Sequence, residues 1–334
     1  MIVEPECLDA MKSIVIVMLL GLLAVLLLGL LGPRPVLRKV PHQIPEIPGD
    51  VDAYLASRES STSEAIRPGL QAEVIWAYPD KRRTRRSLVY LHGFSSSRGE
   101  LSPVLETLAS EWQANVFFTR FRGHGSESGN LLKGLNLDDW MHDALEARAI
   151  GEQIGEEVLL VGTSHGALLA SWVATVDGFR SELAGLVLIS PNFAPADPRT
   201  RLLILPWARQ VLPWVFGKKR DWDPQNSGHE YYWNTVYPSD ALFPMMAQVN
   251  FITPRTPDQL DVPVLVLYSP NDVTVDPMAI EAAYARFPSK SKRLIQMPPV
   301  GDRNQHILAG DILSPESSET VIMEIQNFVE MLPK

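Results

Sequence analysis

Residues 162–166 read Gly162-Thr163-Ser164-His165-Gly166, directly after the apolar run Glu157-Val158-Leu159-Leu160-Val161 and directly before a helical pattern, Ala167 to Ala174. A strand, a Gly-x-Ser-x-Gly turn and a helix in that order are the parts of a nucleophile elbow. Such a turn holds its serine in a strained backbone conformation above a sheet edge, and small flanking residues let strand and helix close around it. It also points the N–H groups that open the helix towards any negative charge forming nearby. The five-residue motif alone is a weak signal; its place between a buried strand and a helix strengthens it.

An elbow serine needs a base and an orienting acid, expected in the chain order Ser, Asp, His. A second buried-strand pattern, Val262 to Tyr268, runs into the loop Ser269-Pro270-Asn271-Asp272-Val273-Thr274-Val275-Asp276-Pro277 and then a helical stretch, Met278 to Tyr284. A carboxylate after such a strand lies on the edge where open α/β sheets build their sites. A short strand, Arg293 to Met297, then precedes the loop carrying Asn304-Gln305-His306. Asp272 is the expected acid and His306 the expected base. Asp276 is the rival acid, although Pro277 after it reads as a helix start; Asp302 stands outside the expected order.

These segments, together with Leu91-His92-Gly93-Phe94 and Arg122-Gly123-His124-Gly125-Ser126, give a chain that resembles the α/β-hydrolase superfamily over roughly residues 70–334. Within it the resemblance is to the lysophospholipase, monoglyceride-lipase and serine-aminopeptidase group. It implies an α/β fold: a mostly parallel central sheet with helices on both faces and a cap inserted after a central strand. His165 departs from the Met or Gln often found after the nucleophile in that group. The departure leaves its backbone N–H available and puts a titratable ring near the pocket.

The expected chemistry follows from residue types. A serine hydroxyl is a poor nucleophile until an imidazole takes its proton, and an ordinary histidine pKa of about 6.5 suits that exchange at neutral pH. Asp272 would fix the His306 tautomer and stabilise the imidazolium. The backbone N–H groups of Phe94 and His165 are the expected oxyanion donors. His92 reads as a buttress of the oxyanion turn, His124 as structural, and His142 as an exposed helix residue. The His165 side chain is either structural or in contact with substrate.

From Ser13 to Gly32 the chain carries no charge and is apolar on every face. About twenty such residues can cross a hydrocarbon core of ~30 Å. An uncleaved anchor is expected, because the stretch is longer than a signal-peptide apolar region and lacks an A-x-A cleavage pattern; a cleaved signal peptide is the alternative. One cation, Lys12, precedes the span among Glu4, Glu6 and Asp9, whereas Arg34, Arg38 and Lys39 follow it. The positive-inside rule then places the enzyme in the cytoplasm, with an exported signal-anchor topology as the rival.

The expected organisation is a tail (1–12), an anchor (13–32), a proline- and serine-rich linker (33–70) in which Val51 to Ser57 could pack as a helix turn, and a hydrolase domain (71–334) with its cap over about 195–260. Lys81, Arg82, Arg83, Arg85 and Arg86 read as a solvated hairpin tip between two strands, with anionic lipid headgroups as the alternative contact. The cap segment carries Trp207, Trp214, Trp222 and Trp233, half of the 8 tryptophans, besides Phe216, Tyr231, Tyr232, Tyr237 and Phe243. These aromatics suit an apolar acyl channel, and for any single one the alternative is that it simply holds a small cap together. No acidic cluster in the cap marks a site for a free amino terminus, which weighs against the aminopeptidase reading, although Glu230 and Asp240 could contribute to one.

One cysteine, Cys7, excludes an intramolecular disulfide, and the net charge of −9 argues against a nucleic-acid partner. No metal-ligand spacing, P-loop or dinucleotide fingerprint occurs, so no cofactor or metal is expected. The reading is a membrane-anchored serine hydrolase of carboxylic esters, acting on a small-molecule or lipid substrate such as a monoacylglycerol or lysophospholipid. A serine aminopeptidase, amidase or thioesterase on the same triad is the alternative, and a non-catalytic scaffold is the alternative of a different class.

Overall fold

A computed structural model describes residues 5–176 and 183–332. Residues 1–4 of the expected tail lie outside them. Nine strands are present among the described residues: β1 (Glu73–Ile75), β2 (Thr84–Leu91), β3 (Asn115–Phe118), β4 (Gly155–Thr163), β5 (Leu183–Ile189), β6 (Lys219–Asp221), β7 (Val236–Pro238), β8 (Val264–Tyr268) and β9 (Lys292–Gln296). The helices are α1 (Pro5–Leu31), α2 (Val51–Ser60), α3 (Val104–Trp112), α4 (Asp139–Ile154), α5 (His165–Val173), α6 (Ala208–Phe216), α7 (Ser227–Tyr232), α8 (Leu242–Ile252), α9 (Pro277–Arg286) and α10 (Ser318–Glu330).

Seven strands form one sheet in the order β1-β3-β2-β4-β5-β8-β9. Only β1 is antiparallel to its neighbour; the other pairings are parallel. Parallel strands covered on both faces need apolar residues at every position, which is why Leu88–Leu91, Val158–Val161 and Val264–Tyr268 read as unbroken apolar runs and are buried. Side chains still alternate between faces. Val89, Leu91, Val158 and Leu160 pack in the core under α4, α5 and α9, whereas Leu88, Tyr90, Leu159 and Val161 pack in the core under α3 and α10.

This arrangement bears out the expected α/β-hydrolase fold and corrects one local expectation. β1 pairs with β3, not β2, so the 81–86 cations are not a hairpin tip. They lead into and through the start of β2, the sheet edge opposite the site described below. Lys81 pairs with Asp52, Arg82 lies over the Tyr78 ring, Arg83 donates to the Glu152 and Gly155 carbonyls, and Arg86 pairs with Glu157.

Helix α2 lies within the segment expected to be a linker. Val51 and Leu55 are buried in the core, and Arg58 pairs with Asp143 and Glu146 of α4. Helix α1 has a 21-residue stretch, Met11–Leu31, of mean hydropathy 3.3 with no burial against the rest of the chain, long and apolar enough to cross a membrane. The 195–260 insertion follows β5 and holds α6, α7, α8 and the small antiparallel β6–β7 sheet.

Candidate active site

Ser164 follows β4 directly and opens α5 with φ 55° and ψ −116°, a sparsely populated conformation for a non-glycine residue. The surroundings enforce it. The Ser164 N–H donates to the Ile189 carbonyl at 2.8 Å, and the Ser164 carbonyl accepts from Leu168 and Asn192. The two glycines of the motif are there for close approach. A Cβ at Gly166 would lie 2.0 Å from the Leu91 carbonyl oxygen, and one at Gly162 would lie 2.7 Å from the Ala167 backbone.

His306 and Asp272 come together from the loops after β9 and β8. His306 Nδ1 donates to Asp272 Oδ2 at 2.7 Å. The other oxygen, Oδ1, accepts the N–H groups of Thr274 (2.7 Å) and Val275 (3.0 Å), which fixes the carboxylate plane. Burial works against charging His306, but the Asp272 charge and hydrogen bond, with Asp302 and Glu100 behind them, outweigh it and raise its pKa above the ordinary value. Ser190, in the left-handed region after β5, donates from Oγ to the His306 carbonyl at 2.7 Å and ties the loop to the sheet.

The rival acids fall elsewhere. Asp276 caps α9 through the Met278 N–H, the helix start that Pro277 implies. Asp302 touches His306 only at the backbone: Oδ2 accepts the N–H groups of His306 (3.0 Å) and Ile307 (2.9 Å), and Oδ1 those of Asn304 and the Gln225 side chain.

The turn after β2 stands beside Ser164. His92 Nδ1 donates to the Gly93 carbonyl (2.8 Å) while Nε2 accepts the Phe121 N–H (3.1 Å). His124 donates through Nδ1 to the Arg122 carbonyl and accepts the Ser95 N–H at Nε2 (3.0 Å). Each ring is therefore a neutral brace. Burial pushes His92 down to about 4 and takes His124 well below its ordinary value. Among the described residues no acceptor takes the Phe94 N–H, and the His165 N–H opens α5, where helix N–H groups have no partner within the helix. The His165 ring turns away, bonding Gln248 Oε1 at 2.7 Å and packing edge-on against Trp140; burial lowers it to about 4. His142 is exposed beside Asp138.

Sequence reasoning missed Glu100. It is buried, and its Oε2 accepts the Gly93 N–H at 2.6 Å and bonds the Tyr90 hydroxyl at 2.9 Å, while that hydroxyl also meets Thr163 at 3.0 Å. Burial pushes its pKa up to about 7, against the N–H of Gly93, the Tyr90 hydroxyl and the charge of His306, which hold it down. Its position after a serine-rich loop carries no local signature.

Ser164 and His306 share the wall of a cavity of about 320 Å³. Trp222, Trp233, Tyr237, Leu242 and Met245 of the insertion close it on one side, and Phe94, Val275, Ile307 and Leu313 on the other. Glu230 and Asp240 do not reach it; Asp240 pairs with Arg209 at 2.9 Å. No group of His, Cys, Asp and Glu suited to a metal ion occurs among the described residues.

A doubly covered parallel sheet whose strand ends carry an elbow serine and an Asp–His pair defines an α/β hydrolase. Residues 82–300 match the family described as "Serine aminopeptidase, S33", and the chain belongs to that family of hydrolases. Its fold is similar to that of one chain from work on LipS and LipT, two metagenome-derived lipolytic enzymes (TM-score 0.63, 19% identity, 80% of this chain and 99% of that chain). It is also similar to a Paleococcus ferrophilus monoacylglycerol lipase (TM-score 0.59, 18% identity, 78% and 98%). A soluble variant of Saccharomyces cerevisiae monoglyceride lipase, in complex with a substrate analogue, is a third (TM-score 0.57, 16% identity, 81% and 98%). No curated protein matches the chain in sequence.

Proposed function

We propose that the protein is a membrane-anchored serine hydrolase that cleaves carboxylic esters of lipid origin, such as monoacylglycerols or lysophospholipids. The observation that carries this reading is the largely apolar cavity with Ser164 and His306 on its wall. His306 takes the Ser164 proton as Oγ attacks the ester carbonyl, and Asp272 holds the tautomer that leaves Nε2 free to accept it. The N–H groups of Phe94 and His165 stabilise the oxyanion, a contribution of roughly 3–4 kcal/mol per donor. The tetrahedral adduct collapses to acyl-Ser164 as His306 protonates the departing alcohol. Water, deprotonated by His306, then attacks the acyl carbon and releases the acid and Ser164.

The lipase neighbours support the ester reading. So do the two carboxyl groups on the cavity wall, neither of which suits an ammonium group. Asp302 spends its oxygens on four N–H donors, and Glu100 Oε2 is taken by the Gly93 N–H and the Tyr90 hydroxyl. Two hydrogen bonds from Trp207 to the carbonyls of Leu28 and Pro33, each 2.8 Å, support retention of α1 as an anchor, because cleavage of a leader would remove an acceptor. Arg34, Arg38 and Lys39 after the span favour a cytoplasmic hydrolase domain over an exported one, and the acidic Glu4, Glu6 and Asp9 before it lean the same way.

Labelling with a fluorophosphonate probe, comparing the wild type with Ser164→Ala, tests the nucleophile. Turnover of p-nitrophenyl esters against aminoacyl amides tests the substrate class. Ser164-dependent labelling with ester preference supports the reading. Faster amide turnover favours the peptidase, and a folded wild type that never labels favours a scaffold.

A further inference from the structure

The insertion's aromatic residues divide into two sets. Trp222, Trp233 and Tyr237 wall the cavity, but Trp214 and Phe216 face outward, 77% and 51% exposed, with Val215 at 64% between them. Val211, Trp214 and Val215 stand at i, i+3 and i+4 on α6 and form one exposed stripe. Leaving a large apolar side chain in water forgoes roughly 1.5–3 kcal/mol, so a contiguous exposed stripe marks a surface that meets something apolar.

The stripe begins where α1 ends. The Trp207 N–H donates to the Pro33 carbonyl, and its indole N–H donates to the Leu28 carbonyl in the last turns of α1. Trp207 sits at φ 62°, a region a bulky residue rarely enters, so the junction dictates where its ring lies. Cations flank the stripe on both sides. Lys218, Lys219 and Arg220 follow it, with Lys218 Nζ 4.3 Å from the Trp214 ring centre, and exposed Arg34, Arg38 and Lys39 follow α1. An apolar stripe with tryptophan at its margin and cations beyond is the pattern of a helix lying in a membrane interface.

We propose that α6 lies in the boundary between headgroups and acyl chains of the leaflet through which α1 leaves the bilayer. Val211, Trp214, Val215 and Phe216 enter the acyl layer, and Lys218, Lys219 and Arg220 meet anionic headgroups. The proposal rests on the reading of α1 as a membrane anchor. It moves the headgroup contact away from residues 81–86, which occupy the opposite sheet edge, to residues 218–220. It also gives the lipid a route inward. Phe216, Leu212 and Pro213 line a cleft of about 150 Å³ beneath α6, and Leu242 lines both that cleft and the cavity holding Ser164.

The test uses the full-length chain in nanodiscs of phosphatidylcholine and phosphatidylserine, with Cys7→Ser and one new cysteine carrying an environment-sensitive fluorophore. Val215→Cys reports on the stripe, and Met323→Cys, on the outward face of α10, is the control. The expected result is blue-shifted emission from position 215 that lipids brominated in the upper acyl chain quench and aqueous iodide does not, with the opposite pattern at position 323. If 215 behaves like 323 while the protein stays in the disc, the proposal is overturned and the anchor stands. Blue-shifted emission insensitive to brominated lipid means a second copy or another part of the protein covers the stripe, and overturns it too. Failure of the folded chain to enter discs overturns the anchor, and the proposal with it.

Discussion

His306 Nδ1 donates to Asp272 Oδ2 at 2.7 Å while the other oxygen of Asp272 is saturated by two backbone N–H groups. The carboxylate has no freedom to turn, so it presents one acceptor to one tautomer of the ring. Asparagine at position 272 can place an NH₂ group against Nδ1 and reverse that tautomer. Asp272→Asn is therefore expected to lower kcat by about 10⁴-fold with the fold retained. The pH profile separates this from a packing defect. The proposed base works unprotonated, so wild-type kcat/KM is expected to fall as pH drops through a His306 pKa held above its ordinary value. Without the Asp272 charge, burial lowers that pKa, and residual activity should persist to lower pH. An acid limb that stays in place would count against the pairing.

Glu100 gives the opposite limb. Its carboxyl grips the Gly93 N–H, one residue before Phe94, the proposed oxyanion donor, and a Cβ at Gly93 would lie 2.6 Å from Glu100 Oε1 and 3.3 Å from Ser164 Cβ. A carboxylate there repels the oxyanion, whereas the neutral acid does not. Wild-type kcat is expected to fall as pH rises through about 7, and Glu100→Gln should flatten that decline. Stability should follow the same group. Its folded pKa lies above the ordinary 4.5, so the contribution of the neutral form is present below that value and lost as pH rises through about 7. Urea denaturation should show Glu100→Gln gaining on the wild type by roughly 3 kcal/mol or less between pH 5 and pH 8. A constant difference would mean Glu100 does not titrate there.

What the sequence made legible was whatever depends on neighbours along the chain. The buried strands announced themselves because a doubly covered parallel strand needs an apolar residue at every position, and the elbow because two glycines must flank its serine. The start of β2 was hidden because Thr84, Arg85 and Arg86 are polar: Thr84 is buried with its hydroxyl bonded to the backbone of Arg86 and Asn115, and Arg86 pairs with Glu157. β1 was misassigned to a hairpin because adjacency in sequence is a poor guide once a strand crosses over. Glu100 meets Gly93 and Tyr90 only once the turn after β2 folds back, and Asp302 gathers the N–H groups of its own loop and adds Gln225 of the insertion, arrangements that no recognised motif spacing announces. The insertion's aromatics divide between the cavity wall, where Trp222, Trp233 and Tyr237 lie, and an outward face that neither a channel nor cap packing anticipated. A stripe at helical spacing looks the same whether it faces a core, a channel or the outside, and Trp214 faces the outside.

Asp302 carries a prediction about the loop as distinct from the ring it supports. Its oxygens accept from Asn304, His306, Ile307 and Gln225, joining the base-bearing loop to the insertion. Asp302→Ala leaves three backbone N–H groups without that acceptor, and unsatisfied buried donors cost about 1–3 kcal/mol each. A lowered denaturation midpoint together with lost turnover is expected. Stability unchanged within about 0.5 kcal/mol would show that water replaces the carboxylate.

The cavity wall tests the acyl site most directly. Met245 is nearly buried and lines the same space as Ser164 and His306, from α8 of the insertion. Met245→Trp keeps the surface apolar and fills part of about 320 Å³, so it removes room without removing affinity for hydrocarbon. Excluding even one or two methylenes from an apolar pocket is worth about 1–3 kcal/mol. The kcat/KM for dodecanoyl p-nitrophenyl ester is thus expected to fall at least about tenfold, while that for the acetyl ester changes little. A long-chain-specific loss identifies the cavity as the acyl site. An equal loss at every chain length would mean that Met245 shapes the catalytic groups instead, and that the acyl chain lies along another surface.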